Sequence, residues 1–433
     1  MFSVRRLLLV AVIPAAALLP AGPATAASLS AVQAKLTREM RAAGPSAGAV
    51  VRDLDSGRTI FALRADNQRV PASVEKLFVS AATLMRDGPE GRIATRAVAD
   101  AAPVDGVVAG PLYLVGGGDP TLTAARITEL AAAVKAAGVT TVQGGVLGDD
   151  SAFDHRIGSP DSNFRYDREL GGLLTGLAVN RGWDSKGLQD APAASAARRF
   201  ARALKLAGVA VSGDVEAGTA PPSAVDVAQI QSAPLSAIVA AMNGPSDNYL
   251  AEMLLKRLGA AHGAGGTTAA GAAAAGAALD DIGVRPRIVD GSGLSRSDRT
   301  TPRQVVRLLQ RVANMEFAQP FTASLPVAGV SGTLQRRMRG TAAAGNCRAK
   351  TGTLRYTSNL AGYCTTGDGG VVAFALLMNG VNVGSAHGVQ DRIATALAGW
   401  DGTDAGPDVA PPSAPAPAAP ETEAGGGAAA PGA

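Results

Sequence analysis

The sequence predicts an α/β chain of the α+β type, an antiparallel sheet flanked by helices with a strand-rich segment set into it. Three observations carry this expectation. Hairpin signals stand near both ends of the chain, over residues 49–63 and 347–364, and a third apolar strand follows the second. Helical periodicity follows Pro71 and returns over 235–312. Between these helical stretches, residues 91–233 change to short strands and turns.

Taken in order, residues 1–26 read as a secretory leader. Arg5 and Arg6 precede an apolar run from Leu7 to Leu19, and Ala24-Thr25-Ala26 supplies a small-residue cleavage site. The run is short and contains Pro14, which disfavours a spanning helix, so no stable membrane anchor is expected once the leader is removed. Leu29 to Ala43 reads as a helix, and Ala49 to Leu54 and Arg58 to Leu63 as strands joined at Asp55-Ser56-Gly57. Pro71-Ala72-Ser73 opens a helix through Met85, which puts Ser73 where backbone N–H groups are unpaired.

In the 91–233 segment, Leu112 to Val115 and Gly145 to Asp149 are strands. The glycines Gly116 to Gly118 lack phosphate-loop spacing and form a plain turn. Tyr166 and Trp183 read as core aromatics. Helices follow at Leu235 to Met242 and Ser246 to Leu258. A small-residue helix with a loop before it lies within Ala260 to Leu279, and another starts at Thr301-Pro302.

Near the C-terminus, Cys347 to Thr353, Ser358 to Cys364 and Val371 to Asn379 are strands. A turn centred near Leu354 to Thr357 places Lys350 opposite Ala361 and Cys347 opposite Cys364. These are the only two cysteines, and the register brings them within disulfide reach. Val389 to Ala398 closes the fold as a helix. From Asp401 onward Pro, Ala and Gly dominate without basic or aromatic residues, so 401–433 is expected to be a disordered tail and not an amphipathic anchor.

Composition excludes some roles. Hydrophobic residues make up 47 %, enough for real cores, while aromatics make up only 4 % and the net charge is +4. With little to stack bases and no polybasic surface, no nucleic-acid partner is expected. No metal or cofactor is implied.

Three short motifs carry the chemistry: Ser73-Val74-Glu75-Lys76, Ser246-Asp247-Asn248 and Lys350-Thr351-Gly352. The chain has only seven lysines, and two of them fall here. A serine hydroxyl needs a base, and none of His155, His262 and His387 stands in a triad context. Lys76, three residues after Ser73, can reach its hydroxyl if burial and a second cation lower the lysine pKa. Lys350 is that cation. Ser246 can sit between the two amines as a proton relay, and Asn248 can hold the substrate backbone. Lys350, Thr351 and Thr353 can bind a terminal carboxylate, on an edge strand able to pair with an extended peptide. The N–H groups of Ser73 and Thr353 would form the oxyanion hole. Ser73, Lys76, Ser246 and Lys350 are thus the catalytic candidates, and Asn248, Thr351, Gly352 and Thr353 the substrate-binding ones.

The resemblance extends beyond the three motifs. Val70-Pro71-Ala72-Ser73-Val74-Glu75-Lys76-Leu77-Phe78, Ser232-Ala233-Pro234-Leu235, Met242-Asn243, the stretch from Asp290 to Arg296, that from Val327 to Leu334, and Arg348 to Leu354 resemble the D-Ala-D-Ala carboxypeptidase/endopeptidase family of low-molecular-mass penicillin-binding proteins. The resemblance covers most of residues 30–398. It implies a penicillin-recognising serine transferase fold, with 27–90 and 234–400 as a discontinuous catalytic domain and 91–233 inserted between the first two motifs. It implies peptidoglycan stem peptides as substrate, β-lactam antibiotics as covalent inhibitors, and a secreted protein at the cell wall or in the periplasm. The 173-residue gap from Ser73 to Ser246 is shorter than the family's pattern, so part of the insert is expected to be reduced.

Two residues depart from or extend the motif set. Glu75, where the family has an uncharged residue, reads as a solvent-facing helix position, the alternative being that it modulates Lys76. Asp290 and Ser292 belong to a glycine-rich turn expected to shape the active-site floor. The other functions open to this sequence are a β-lactamase, for which no loop carrying a deacylating glutamate stands out, and a non-catalytic wall-binding protein.

Overall fold

The computed structural model describes residues 28–402. The leader reading of 1–26, and all but the start of the tail reading, lie outside the described residues. Helix α1 (Leu29–Ala42) starts where the Ser28 hydroxyl accepts the Ala31 N–H, and it buries Leu29, Val32, Leu36 and Met40, a stripe at helical spacing. Strands β1 (Ala47–Asp53) and β2 (Thr59–Leu63) form the first hairpin. A short 3-10 turn, Ala72–Glu75, leads into α2 (Lys76–Asp87).

The 91–233 segment contains more helix than its sequence suggested. In chain order it holds β3 (Ala94–Ala99), β4 (Val107–Val108), β5 (Leu112–Gly116), α3 (Ala124–Ala136), β6 (Thr141–Val142), β7 (Val146–Asp149), β8 (Trp183–Asp184), β9 (Gly187–Leu188), α4 (Pro192–Leu206), β10 (Ala210–Val211), β11 (Val215–Ala217) and β12 (Val225–Gln231). The strands form a sheet of order β11-β7-β5-β3-β12, a smaller one of order β10-β6-β4, and a two-stranded ribbon of β8 and β9. The two helices were visible in principle, because α3 buries Ile127, Leu130, Ala131 and Val134 at i, i+3, i+4 and i+7. Alanine content hid the pattern. A separate hydrophobic cluster, drawn from Ala97 to Val209, lies between these helices and sheets.

After the insert come α5 (Leu235–Asn243), α6 (Asn248–His262), α7 (Thr268–Asp280), α8 (Pro302–Val312) and α9 (Ala318–Ala323). The chain ends in β13 (Cys347–Leu354), β14 (Thr357–Thr365), β15 (Val371–Asn379) and α10 (Val383–Ala398). The main sheet has the order β13-β14-β15-β1-β2 and every pairing in it is antiparallel.

Both faces of this sheet are covered, which explains why β15 is apolar almost throughout. Phe374, Leu376 and Met378 face a cluster containing Leu36 and Met40 of α1 and Ile393 and Leu397 of α10. The alternate residues Ala373, Ala375 and Leu377 face a second cluster built from α2, α5, α6 and α8. The first motif enters the core on that second side.

The predicted register of the last hairpin is the observed one. Lys350 pairs with Ala361 and Cys347 with Cys364, and the two cysteines form a disulfide with Cα atoms 4.1 Å apart. Replacing both cysteines by alanine is expected to reduce unfolding free energy by about 2–3 kcal/mol, the loop-closure value for a cross-link of this span, measured by denaturant titration.

Candidate active site

Ser73 sits in the 3-10 turn, where three residues make one turn and positions i and i+3 eclipse. Lys76 Nζ therefore lies 2.9 Å from Ser73 Oγ. The sequence suggested that an α-helix would open at Ser73, whereas the α-helical bonding starts at Lys76. The turn is held by strands. Asn359 of β14 donates to the carbonyls of Val70 (3.0 Å) and Pro71 (2.6 Å), and Asn379 of β15 accepts the Val70 N–H at 2.9 Å. Ala72, just before the serine, is left-handed at φ 48°, a conformation costing a non-glycine residue about 1 kcal/mol.

Two glycines make the close packing around Ser73 possible. A Cβ on Gly352 would sit 2.5 Å from the Pro71 carbonyl oxygen, and one on Gly293, at φ 80°, would sit 2.0 Å from that of Ala72. The third motif and the Asp290–Ser295 turn thus press directly on the chain that carries Ser73.

Lys76 is fully buried and donates to Ser73 Oγ, to Asn248 Oδ1 at 2.7 Å and to the Ser292 carbonyl at 2.5 Å. Burial lowers its pKa to about 8, against the pull of Asp290, Glu252, Asp247 and Glu75, whose charges favour the ammonium. Lys350 is also fully buried, and burial together with the Lys76 charge holds its pKa well below the ordinary lysine value. Its Nζ donates to Ser246 Oγ at 2.7 Å and to the Thr351 carbonyl at 3.0 Å. Ser246 takes φ 67° immediately before α6, so it precedes the helix that the sequence reading began with it. Its hydroxyl meets Lys350 but is not among the three acceptors of Lys76.

Asn248 does more than expected for a backbone clamp. While Oδ1 accepts from Lys76, Nδ2 donates to the Glu169 carbonyl in the 91–233 segment at 2.9 Å. Arg181, from the same segment, pairs with Asp247 at 2.6 Å. The second motif therefore joins the lysine to the 91–233 segment.

Thr351 Oγ1 donates to Thr333 Oγ1 at 2.8 Å, and Thr353 is exposed. β13 is an edge strand, as expected. Its outer side is covered at the start, where the Ala328 N–H reaches the Cys347 carbonyl and the Ala349 N–H reaches the Pro326 carbonyl, both at 2.9 Å. Beyond Ala349, among the described residues, no second strand takes the outer side.

Glu75 corrects the sequence reading: it is fully buried, not solvent-facing, because the 3-10 geometry turns it inward with Val74. Neither carboxyl oxygen has a hydrogen-bond partner, and burial, then the charge of Asp290, pushes its pKa well above the carboxylate range. Tyr166 and Trp183 are a second correction. Trp183 is 40 % exposed and the two rings meet edge to face at the surface of the insert, outside its core.

Asp290 and Ser292 lie where the turn was expected to form a floor. Asp290 is buried and its carboxylate accepts the N–H groups of Gly293 (2.7 Å) and Ser295 (2.8 Å). Ser292 meets Lys76 through its backbone carbonyl, not its hydroxyl. Asn359 and Glu252 escaped the sequence reading. Glu252 carried a faint signal: it stands one turn after Asn248, a charged residue on the face that α6 buries.

Changing Gly352 or Gly293 to alanine is expected to slow acylation by a labelled penicillin at least tenfold and to cost roughly 2 kcal/mol of stability, because the new Cβ must displace backbone. Gel fluorescence and thermal melting measure the two effects.

The comparisons with known proteins agree with this geometry. The D-Ala-D-Ala carboxypeptidase 3 (S13) family model matches residues 29–167 and 186–401. A D-alanyl-D-alanine carboxypeptidase of Actinomadura sp. is 33% identical over 446 residues, spanning 84% of this chain and 83% of the relative. A carboxypeptidase of Mycobacterium tuberculosis is 31% identical over 406 residues, spanning 86% of this chain and 85% of the relative. Penicillin binding protein 4 from Haemophilus influenzae shares the fold at TM-score 0.68 and 20% identity, over 83% of this chain and 97% of that structure. A family model spanning most of the chain and relatives above 30% identity lead to one conclusion: the chain belongs to the D-Ala-D-Ala carboxypeptidase 3 (S13) family.

Proposed function

We propose that this serine-type DD-carboxypeptidase and endopeptidase acts on peptidoglycan stem peptides through an acyl-enzyme on Ser73, the site that β-lactams also acylate. The observation that carries the proposal is the 2.9 Å contact between Ser73 Oγ and a buried lysine whose pKa has fallen to about 8. At that value a usable fraction of Lys76 is a neutral amine, which a serine nucleophile requires.

In the proposed reaction, Ser73 Oγ attacks the carbonyl carbon of the scissile D-alanyl bond while its proton passes to Lys76 Nζ. The N–H groups of Ser73 and Thr353 receive the oxyanion, each worth roughly 3 kcal/mol in comparable sites. The leaving amine takes a proton from Lys350 Nζ through Ser246 Oγ, which that amine holds at 2.7 Å. Water then attacks the ester carbonyl: the proton it loses passes through Ser246 to Lys350, and Lys76 returns its proton to Ser73 Oγ as the ester bond breaks and the shortened peptide leaves. The substrate chain lies along the outer side of β13, with its terminal carboxylate against Lys350, Thr351 and Thr353. Asn248 orients Lys76 and presents the insert to the substrate.

Family membership implies work at the cell wall, and we assign export to residues 1–26. The Cys347–Cys364 disulfide supports an oxidising compartment. Among the described residues no helix is long and apolar enough to cross a membrane. We also read residues 91–233 as an inserted domain, supported by its own hydrophobic cluster, with 27–90 and 234–400 as the catalytic domain.

Ser73→Ala is expected to abolish both fluorescent-penicillin labelling and D-alanine release from a D-alanyl-D-alanine peptide. Persistence of either sinks the mechanism. Fast nitrocefin turnover by the unmodified protein would instead indicate a β-lactamase, and wall binding without acylation a binding protein. The rate should also report Lys76. Only the unprotonated amine accepts the serine proton, so the acylation rate constant is expected to rise about tenfold per pH unit below about 8 and level off above it.

A further inference from the structure

Glu252 lies behind the lysine, on the helix that carries Asn248, with no exposed surface. Its Oε1 accepts two backbone N–H groups, from Gly291 at 3.0 Å and Ser292 at 2.8 Å. The carbonyl of that same Ser292 accepts from Lys76 Nζ at 2.5 Å. We infer that Glu252 is a positioning residue for the reaction: it anchors the Gly291–Ser292 turn so that the Ser292 carbonyl fixes which way the Lys76 amine faces.

Hydrogen count sets the orientation, given the proposed role of Lys76 as base. An ammonium has three hydrogens, and Lys76 has three acceptors for them: Ser73 Oγ, Asn248 Oδ1 and the Ser292 carbonyl. A neutral amine has two hydrogens and one lone pair. Two of the acceptors are carbonyl oxygens, which cannot donate, so they take the two hydrogens. The lone pair is left for the third neighbour, the hydroxyl of Ser73, which is the orientation proton transfer needs. Removing either carbonyl frees the amine to rotate its lone pair away. α6 controls both: Asn248 supplies one acceptor directly, and Glu252, one turn on, holds the other.

The charges around Lys76 fit an indirect role. Glu75 reaches it from the 3-10 turn, Asp247 from the cap of α6, Glu252 from α6 itself, Asp290 from the loop after α7, and Lys350 from β13. None of the carboxyl groups is a direct hydrogen-bond acceptor of Lys76, so no ion pair locks the ammonium in place. Burial, then the Asp290 charge, raises the Glu252 pKa to about 8. Around neutrality it is largely a neutral acid, still an acceptor through Oε1, and Oε2 has no partner to lose. Glutamine copies that form, whereas alanine removes the anchor and leaves two buried N–H groups unpaired.

The test compares Glu252→Gln and Glu252→Ala with the unmodified protein in pH profiles of penicillin acylation and of D-alanine release, with thermal melting as the control for folding. Glu252→Gln is expected to stay within about threefold across the acid limb, because the acid it replaces is already uncharged there and its Oε1 still accepts both N–H groups. Folded Glu252→Ala is expected to be acylated roughly 30- to 100-fold more slowly with little change in KM, the signature of a misplaced reacting group. Unimpaired acylation by folded Glu252→Ala overturns the inference, and so does a folded glutamine variant as slow as the alanine one. If the alanine variant does not fold, Glu252→Met, which fills the site without an acceptor, takes its place: it is expected to show the same slowing, and acylation at the unmodified rate overturns the inference. Ser73→Ala run in parallel separates the two ideas: labelling that survives there condemns the acyl-enzyme, whatever Glu252 does.

Discussion

Two lysine amines buried side by side constrain everything else around the site. Lys76 and Lys350 are both fully buried, and desolvating one ammonium alone costs several kcal/mol after relaxation. The fold meets that cost in two ways. It surrounds Lys76 with three oxygen acceptors, and it lets both amines shed protons more readily than a free lysine does. The second response is what fits Lys76 to the role of base proposed for it. Asp298 nearby answers to its own burial: that burial, then the charges of Glu75 and Asp290, pushes its pKa up to about 11, so it is a neutral acid at physiological pH.

The positions of these groups are set from several directions. Asn359 and Asn379 on two adjacent strands hold the peptide before Ala72, and two glycines admit backbone within van der Waals distance of Ser73. α6 contributes Asn248 at its first turn and Lys256 two turns later. Lys256 is fully buried and donates to Asp154 (2.6 Å) and to the carbonyls of Arg156 (3.0 Å) and Leu174 (2.9 Å). One helix therefore grips both Lys76 and the 91–233 segment. A shift of that segment against α6 would be felt at Asn248.

How much of this the sequence disclosed depended on whether local geometry or distant packing decided the matter. The hairpin register followed from the position of one turn, because side chains alternate strictly along a strand; that placed Lys350 and both cysteines correctly. The Ser73 to Lys76 contact likewise followed from spacing alone. Glu75 did not, since its direction depends on whether the first turn is 3-10 or α, which is settled by Gly352 and Gly293 pressing on it from segments over 200 residues away. Asn359 reads in the sequence as an ordinary strand residue, and only its partners on Val70 and Pro71 reveal its task. The helices of the insert were obscured by alanine, whose weak hydrophobic contrast blurs the periodicity that a leucine stripe would show.

The partial covering of β13 has a further consequence. Its outer side is occupied up to Ala349 and the strand ends at Leu354, so the uncovered stretch runs over only about five residues, roughly 17 Å at strand rise. An exposed edge of full length would invite any extended segment, including the same strand of another copy. A short one limits that by length alone: an extended segment pairing there would meet the Pro326–Ala328 chain at Ala349 and have no room to continue its ladder.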